Sequence, residues 1–218
     1  MNNFSYDVDI LKYEPSLFDD LHFASQVLIS GSGAEISGTT FNAPDANFNT
    51  AKITAGMVVY LQSADGVIDS TYEIVSVDSA AQLTVSVLRA DGQSEVIALA
   101  DGEDVNYRIC TYQPQSNEVF LQLTQHFGLR PGATDGSYSA DDILDVSALR
   151  QVSVYGVLSI IFATLAGKAD EENFWAKSKY YRQLFEKALQ RSRVSIDLGD
   201  DGVADSVRSG ASVRLLRD

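Results

Sequence analysis

Between residues 36 and 112 the chain alternates apolar and polar residues over short runs, and aspartate-glycine pairs separate several of these runs. The clearest alternation covers residues 72–77 and 83–88, and the pairs begin at Asp65, Asp91 and Asp101. When the pattern repeats every two residues, alternate side chains lie on the same face of a strand. Aspartate-glycine pairs favour tight turns. Five or so short antiparallel strands in this length predict a small barrel or half-open sandwich.

Helical spacing flanks this β section on both sides. Apolar residues recurring every three or four positions predict a helix from about Pro15 to Ile29, ended by the flexible Gly31-Ser32-Gly33. Further helices are predicted at about 116–127, 140–166 and 170–194. The sequence therefore predicts an α+β fold, a bundle of about four helices into which a small antiparallel β-barrel or sandwich module is inserted. Its predicted sections are 1–35 (first bundle helix), 36–112 (inserted β module), 113–196 (remaining bundle helices) and 197–218 (a turn and an extended C-terminal docking tail).

The last predicted helix is amphipathic. One stripe of its surface is apolar, with acidic residues at its start and basic residues at its end, which suits the helix dipole. We expect this stripe to pack into the bundle through Phe174, Trp175, Tyr181, Phe185 and Leu189.

The helix before it contains an uncharged run at residues 151–167. This run is at the short limit for crossing a bilayer, which needs about 17–25 residues, and it includes Ser153, Tyr155, Ser159 and Thr164. A buried helix of a bundle or an oligomer is the favoured interpretation, and no membrane is expected. Because the run is apolar nearly all round, it must be covered on every side.

The charge is unevenly distributed. The chain has a formal net charge of −14, yet residues 169–218 hold nine of the sixteen Lys and Arg and nine acidic residues, so the first 168 residues carry the whole net charge. Binding nucleic acid by neutralising phosphates requires a basic face, and this balance argues against it. An acidic surface suits a protein that lies beside DNA without binding it, because like charges repel.

Signals for catalysis are weak. His22 and His126 lie on different predicted helices without an acidic partner at a telling spacing, and each is interpreted as a packed or surface histidine. Cys110 is interpreted as a small buried residue on a strand. No enzyme activity and no cofactor is expected.

Aspartates recur in the turn after the last predicted helix. If Asp197 is position one of a calcium loop, Asp201 is position five, Gly202 six and Asp205 nine, but Arg208 occupies position twelve instead of glutamate. A guanidinium at position twelve should greatly weaken Ca²⁺ binding, because it replaces a bidentate carboxylate ligand with a positive charge. A turn whose aspartates bond their own backbone is therefore favoured, and the three aspartates are weak metal candidates.

The end of the chain alternates apolar and basic residues. It is either a disordered end or a strand that adds to a neighbouring subunit or partner, because exposed apolar residues gain nothing unless they are covered. The predicted interface residues are Arg208, Val213, Arg214, Leu215, Leu216 and Arg217.

Residues 173–218 resemble the C-terminal part of head–tail connector proteins of long-tailed bacteriophages. The resemblance is carried by the helix with its Tyr180-Tyr181-Arg182 core, the Asp-Gly-Val-Ala-Asp turn at 201–205 and the Val-Arg-Leu tail at 213–215. Residues 13–26 also resemble such a protein. Adaptors of this family are often a helical bundle alone, so the β section departs from the simplest pattern.

The resemblance implies a structural virion protein of the neck, made in the host cytoplasm and assembled as a ring, commonly a dodecamer. Its partners would be other copies of itself, the portal protein and a tail terminator or stopper protein, with DNA passing through the ring without specific binding. An alternative is another tail or decoration component whose β module binds protein or carbohydrate. A small hydrolase with a poorly marked site is a third hypothesis.

Overall fold

The computed structural model describes residues 3–131, 139–168, 172–197 and 199–210. The chain divides into two compact units. One unit is Tyr6–Gln113, and the other contains residues up to Ser5 and from Pro114 onward.

The first unit is a closed, six-stranded antiparallel barrel with the strand order β1-β2-β5-β4-β3-β6. Closure leaves the barrel without a free sheet edge. The strands are β1 Val27–Ser37, β2 Thr40–Asn42, β3 Val58–Gln62, β4 Asp69–Val77, β5 Gln82–Ser86 and β6 Gly102–Cys110.

Alternation along the strands fills the barrel. In β6, Val105, Tyr107 and Ile109 are buried, whereas the residues between them face outward. The Tyr107 ring packs edge-on against Phe41 and Phe48, with centroid distances of 5.5 and 6.2 Å. Successive side chains of a strand point to opposite faces, so one apolar set makes the core and the polar set meets the surface.

The helix predicted at residues 15–29 is wrong. Two short helices, α1 (Asp7–Leu11) and α2 (Ser16–Asp19), are followed by extended backbone at Asp20, and β1 begins at Val27. Leu17 and Phe18 of α2 are buried, but Leu21, after the helix, is half exposed. Pairing of β1 with β6 satisfies the backbone of residues 27–36 through a long ladder, and this gain outweighs the helical spacing.

Gly31 and Gly33 lie inside β1 and not in a linker that ends a helix. A Cβ on Gly31 would come within 2.7 Å of the Tyr107 hydroxyl, so the missing side chain makes room for that ring. Gly33 has φ +70°, at a register shift between β1 and β6. These glycines therefore mark a close approach and a bulge.

A buried ion pair holds the connection after β5 to the outside of β4. Arg89 donates to both carboxylate oxygens of Glu73, through Nη2 at 2.7 Å and Nε at 3.2 Å. Its Nη1 donates to the carbonyl of Ser94 at 2.9 Å. Glu73 raises the pKa of Arg89, and the side-chain hydrogen bonding between them is the largest cause. The Arg89 side chain thus joins Ser94, in the loop after β5, to Glu73 on β4.

The second unit contains the three long helices and a small hairpin. The helices are α3 Gln113–His126, α4 Arg150–Lys168 and α5 Glu172–Arg191. The hairpin pairs β7 (Arg193–Ile196) with β8 (Ser206–Ser209). The α-helix predicted to begin at Ala140 begins only at Arg150. Before it, Ile143 forms a β-bridge with Ile196, and Asp145 caps a 3₁₀ turn at Val146–Leu149 by accepting a hydrogen bond from Ser147 N.

The predicted architecture, a helical bundle with a small inserted β module, is therefore wrong as a whole. The barrel starts at Val27 instead of residue 36, and it is a closed element of six strands. Of the five helices in the described ranges, α1 and α2 have five and four residues, so the first bundle helix does not exist.

Candidate docking surface

Helix α5 packs one face against α4. Tyr181 and Phe185 are buried, and the Tyr181 ring stacks on Phe162 at a centroid distance of 5.8 Å. Ser178 Oγ donates to the carbonyl of Ser159 at 3.1 Å. Phe174 and Leu189 are half buried along the same side. This face holds the helix in place and leaves the opposite face to solvent.

Two large aromatic side chains lie on the exposed side of α5. Trp175 and Tyr180 are 52% and 56% exposed. The packing predicted for Trp175 is corrected, because one residue beyond Phe174 turns the side chain about 100° away from the buried stripe. Tyr180 was not predicted to be exposed. Its position could have indicated this, because it lies one residue before buried Tyr181 and therefore about 100° away from it around the helix. Exposed aromatics of this size are typical of protein interfaces.

A lysine lies over one of these rings. Lys179 Nζ lies 5.3 Å from the centroid of the Trp175 ring, within the range of a cation–π contact. Residues 172–191 contain five basic and two acidic residues, whereas the barrel unit contains four basic and sixteen acidic residues. The exposed face of α5 is thus basic in a chain whose barrel unit carries most of the negative charge.

The hairpin after α5 is fixed to the end of α3. Arg208 Nη1 donates to the carbonyl of Phe127 at 2.7 Å, and His126 Nε2 lies 3.0 Å from the carbonyl of Gly210. The last carbonyls of a helix lack partners within the helix, so a cation there is well placed. Arg208, predicted as an interface residue, therefore has a contact within its own chain.

The other predicted interface residues, Val213, Arg214, Leu215, Leu216 and Arg217, lie outside the described residues. The structure gives the position from which this segment starts, since Gly210 is buried and its N–H donates to the carbonyl of Ser192 at 3.0 Å. The chain thus leaves the folded unit beside the C-terminal end of α5.

The residues weighed for catalysis lie apart. His22 Nε2 is 4.0 Å from an exposed Asp20 carboxylate, and His126 contacts Gly210 as described above. Cys110 is half buried on β6, where burial raises the pKa of its thiol, which disfavours the reactive thiolate. In the described part of the chain, no three His, Cys, Asp or Glu side chains are gathered closely enough to hold a metal ion.

By length and composition, the segment Val146–Gly167 is apolar enough to cross a membrane. More than half of its most apolar stretch is buried within the fold, and the core helix of a water-soluble protein passes the same test.

Comparison of the chain with known protein families, with curated proteins and with solved structures gives no significant match.

Proposed function

We propose that this chain is a structural virion protein that forms the ring-shaped connector between the portal and the tail or stopper of a long-tailed bacteriophage. The observation that carries the proposal is the exposed α5 face, with Trp175 and Tyr180 set among basic residues. The resemblance of residues 173–218 to connector proteins supports it, because this face belongs to the resembling segment.

The arrangement fits assembly better than chemistry. Aromatic and basic side chains are the residues on which binding energy concentrates at protein interfaces. The C-terminal segment leaves the fold beside the end of α5, about 24 Å along the helix from Trp175 at a rise of 1.5 Å per residue, so a partner that contacts both must cover most of this helix. The acidic barrel unit is suited to standing near DNA without binding it, because like charges repel.

The first test is co-sedimentation of the full chain with the portal protein of the phage that encodes it. We expect saturable binding, and electron micrographs of the pellet should show a ring on the portal. An absence of binding to the portal and to every other neck protein would overturn the proposal.

Variants locate the surface. Replacing Trp175 with alanine should weaken portal binding or ring formation by at least about tenfold, since hot-spot residues contribute 2 kcal/mol or more. Leu121→Ala is the matched control, because Leu121 is an exposed apolar residue on α3; it should change binding less than about twofold. Equal effects of the two variants would exclude the α5 face as the docking surface.

The C-terminal segment is tested by truncation. Ser209 pairs with Arg193, so a deletion that is to spare the hairpin must begin at residue 211. If residues 211–218 anchor the ring, their removal should abolish docking while leaving the circular dichroism spectrum unchanged. Undiminished docking would remove the anchoring role.

The separate barrel unit favours a second candidate, a tail or decoration component whose barrel binds protein or carbohydrate. Its surface exposes Val67 and Ile97, at 66% and 50%. Binding that is retained by Trp175→Ala but lost in Val67→Ser and Ile97→Ser would support this candidate instead.

A further inference from the structure

Tyr180, Lys187 and Arg191 form a row along the exposed side of α5, and all three side chains are exposed. At 100° per residue, Lys187 and Arg191 each lie about 20° from Tyr180 around the helix, and the row is about 16 Å long. The same geometry places Trp175 about 140° from Tyr180, on another side of the helix. We call Tyr180, Lys187 and Arg191 the basic edge.

Lys187 and Arg191 are available for the carboxylates of a partner. In the part of the chain that the structure describes, neither of them has an acidic partner. Arg182, on the side of Trp175, is instead paired with Glu186 at 2.8 Å. Tyrosine and arginine are enriched at protein interfaces. The basic edge therefore suits a partner surface that is acidic and partly apolar.

The barrel unit exposes a patch of this kind next to β5. Val87, Val96 and Ile97 are exposed, and the Val87 N–H donates to the carbonyl of Ile97 at 3.1 Å, so the three residues lie together. Glu95, which precedes Val96, is exposed as well. We call Val87, Glu95, Val96 and Ile97 the barrel patch. Single apolar side chains are ordinary on a protein surface, but several adjacent ones indicate a contact with another molecule.

The surroundings of the barrel patch are acidic. The Leu99 N–H donates to the carbonyl of Gly38 at 2.9 Å, and the Gly38 N–H donates to the Asp101 carboxylate at 2.7 Å, so the chain after the patch lies against the turn between β1 and β2. Asp101 and Glu103 are exposed, and residues 90–107 contain no Lys or Arg. The patch thus offers apolar side chains and carboxylates to one partner.

We infer that the basic edge of one copy of this chain docks on the barrel patch of a second copy. Charge complementarity selects this occupant, because the unpaired cations of α5 and the acidic patch belong to the same chain. The Tyr180 ring would pack on Val96 and Ile97, and Lys187 would lie near Glu95. The inference rests on the proposed function, because a ring requires a contact between neighbouring copies, but its test needs no portal.

The contact has a defined consequence for assembly. The basic edge and the barrel patch are different surfaces, so each copy uses one of them toward each of two neighbours. Such a heterologous contact continues from copy to copy, and it closes into a ring when the rotation between copies allows closure.

The first test is sedimentation equilibrium of the full chain without any other protein, at chain concentrations from about 1 to 500 µM. We expect reversible association that grows with concentration. A chain that remains monomeric over this range would overturn the inference.

Charge reversals with matched controls locate the α5 surface. Lys187→Glu should weaken self-association at least about tenfold, because like charges across an interface repel. Lys179→Glu makes the same change of charge at an exposed residue of the same helix, about 100° from Tyr180, and should change the association less than about twofold.

The barrel patch has its own pair of variants. Glu95→Lys should weaken self-association at least about tenfold, again by repulsion. Asp45→Lys changes the charge equally at an exposed residue in the loop after β2, and should change it less than about twofold. Equal effects within either pair of variants would show general charge repulsion and overturn the inference.

A mixing experiment tests whether the two surfaces meet. Tyr180→Ala with Lys187→Ala removes the basic edge, and Glu95→Lys with Ile97→Ser removes the barrel patch. All four side chains are exposed, so both variants should fold. Each variant alone should be monomeric. Their equimolar mixture should form a one-to-one dimer and stop there, because only one intact edge and one intact patch remain in the pair.

A mixture that stays monomeric would overturn the inference, and so would one that assembles beyond the dimer. The outcome is separate from that of the portal experiment. Portal binding by a monomeric chain would retain the proposed function and remove this contact. Restored dimerisation of the mixture, by a chain that binds no neck protein, would retain the contact and remove the connector.

Discussion

At the residue scale, the barrel unit is held together by a few buried polar side chains whose partners are far away in sequence. Asp7 is 1% exposed, and it accepts hydrogen bonds from Thr111 Oγ1 at 2.7 Å and from Tyr112 N at 2.8 Å. Arg108 donates to the carbonyls of Phe18 and Asp19 at the end of α2. Sequence patterns could not reveal these partners, because each pair joins segments that only the fold brings together.

Asp7 should make the stability of the chain depend on pH. Burial raises its pKa from 3.8 to about 6, against the opposing effect of its two hydrogen bonds. Between these values the folded chain binds a proton that the unfolded chain does not, so this contribution to stability falls as the pH rises from about 4 to 6. Asp7→Asn should therefore raise the free energy of unfolding near pH 7 by about 3 kcal/mol, and should change it little near pH 4.

The measurement is urea unfolding of the wild type and the variant across this pH range, with the difference between them isolating Asp7 from the other carboxylates. Asp104→Asn is the control, since Asp104 is exposed and its left-handed backbone suits asparagine. A difference for Asp7→Asn that does not vary with pH would contradict the raised pKa.

At the element scale, periodicity located the long helices but not their ends. The helix predicted at 116–127 is α3, Gln113–His126, and the one predicted at 170–194 is α5, Glu172–Arg191. The bounds differ because neighbouring segments compete for the same backbone groups: residues 193–196 pair with β8 instead of extending α5. The same competition replaced the predicted first helix by β1, where pairing with β6 outweighed helical spacing.

The packing of the three long helices should depend on Gly156 of α4. A Cβ there would lie 2.9 Å from Val119 Cγ1 on α3 and 3.0 Å from the Phe185 ring on α5. Overpacking of this kind costs about 1–3 kcal/mol, more than the roughly 1 kcal/mol that alanine gains over glycine in a helix. Gly156→Ala should thus lower the free energy of unfolding by about 1 kcal/mol, measured by urea unfolding.

Gly167 provides the control for that substitution. It lies in the same helix, and a Cβ there would meet nothing within 4 Å. Gly167→Ala should be neutral or slightly stabilising. If Gly156→Ala proves as stable as the wild type, the close crossing of the helices at Gly156 is wrong.

At the scale of the whole molecule, the boundary between the two units falls near Tyr6 and Gln113. The barrel encloses its own apolar core, whose largest buried side chains include Phe41, Phe48 and Leu61. A unit with its own core can fold alone. Its start lies before the β section because α1 and α2 pack on β3 and β4.

Residues 6–113 expressed alone should therefore unfold cooperatively on heating, as followed by circular dichroism. Residues 27–113 contain the same six strands but lack α1 and α2, and with them the contacts of Asp7 and Phe18. We expect this shorter fragment to melt at lower temperature and to bind a hydrophobic dye. Equal melting temperatures would show that the two helices are not part of the unit.

The sequence by itself determined the local preferences of this chain: the β alternation after residue 36, three long helical segments, the charge division and the aspartate turn. Those features depend on neighbouring residues, so they can be read without a fold. Only the tertiary structure decided that residues 27–35 join the barrel, that Trp175 faces solvent, and that Arg208 donates to the carbonyl of Phe127 at the end of α3. Each of these depends on a contact between distant segments, such as β1 with β6, whose free energy exceeds that of the local pattern.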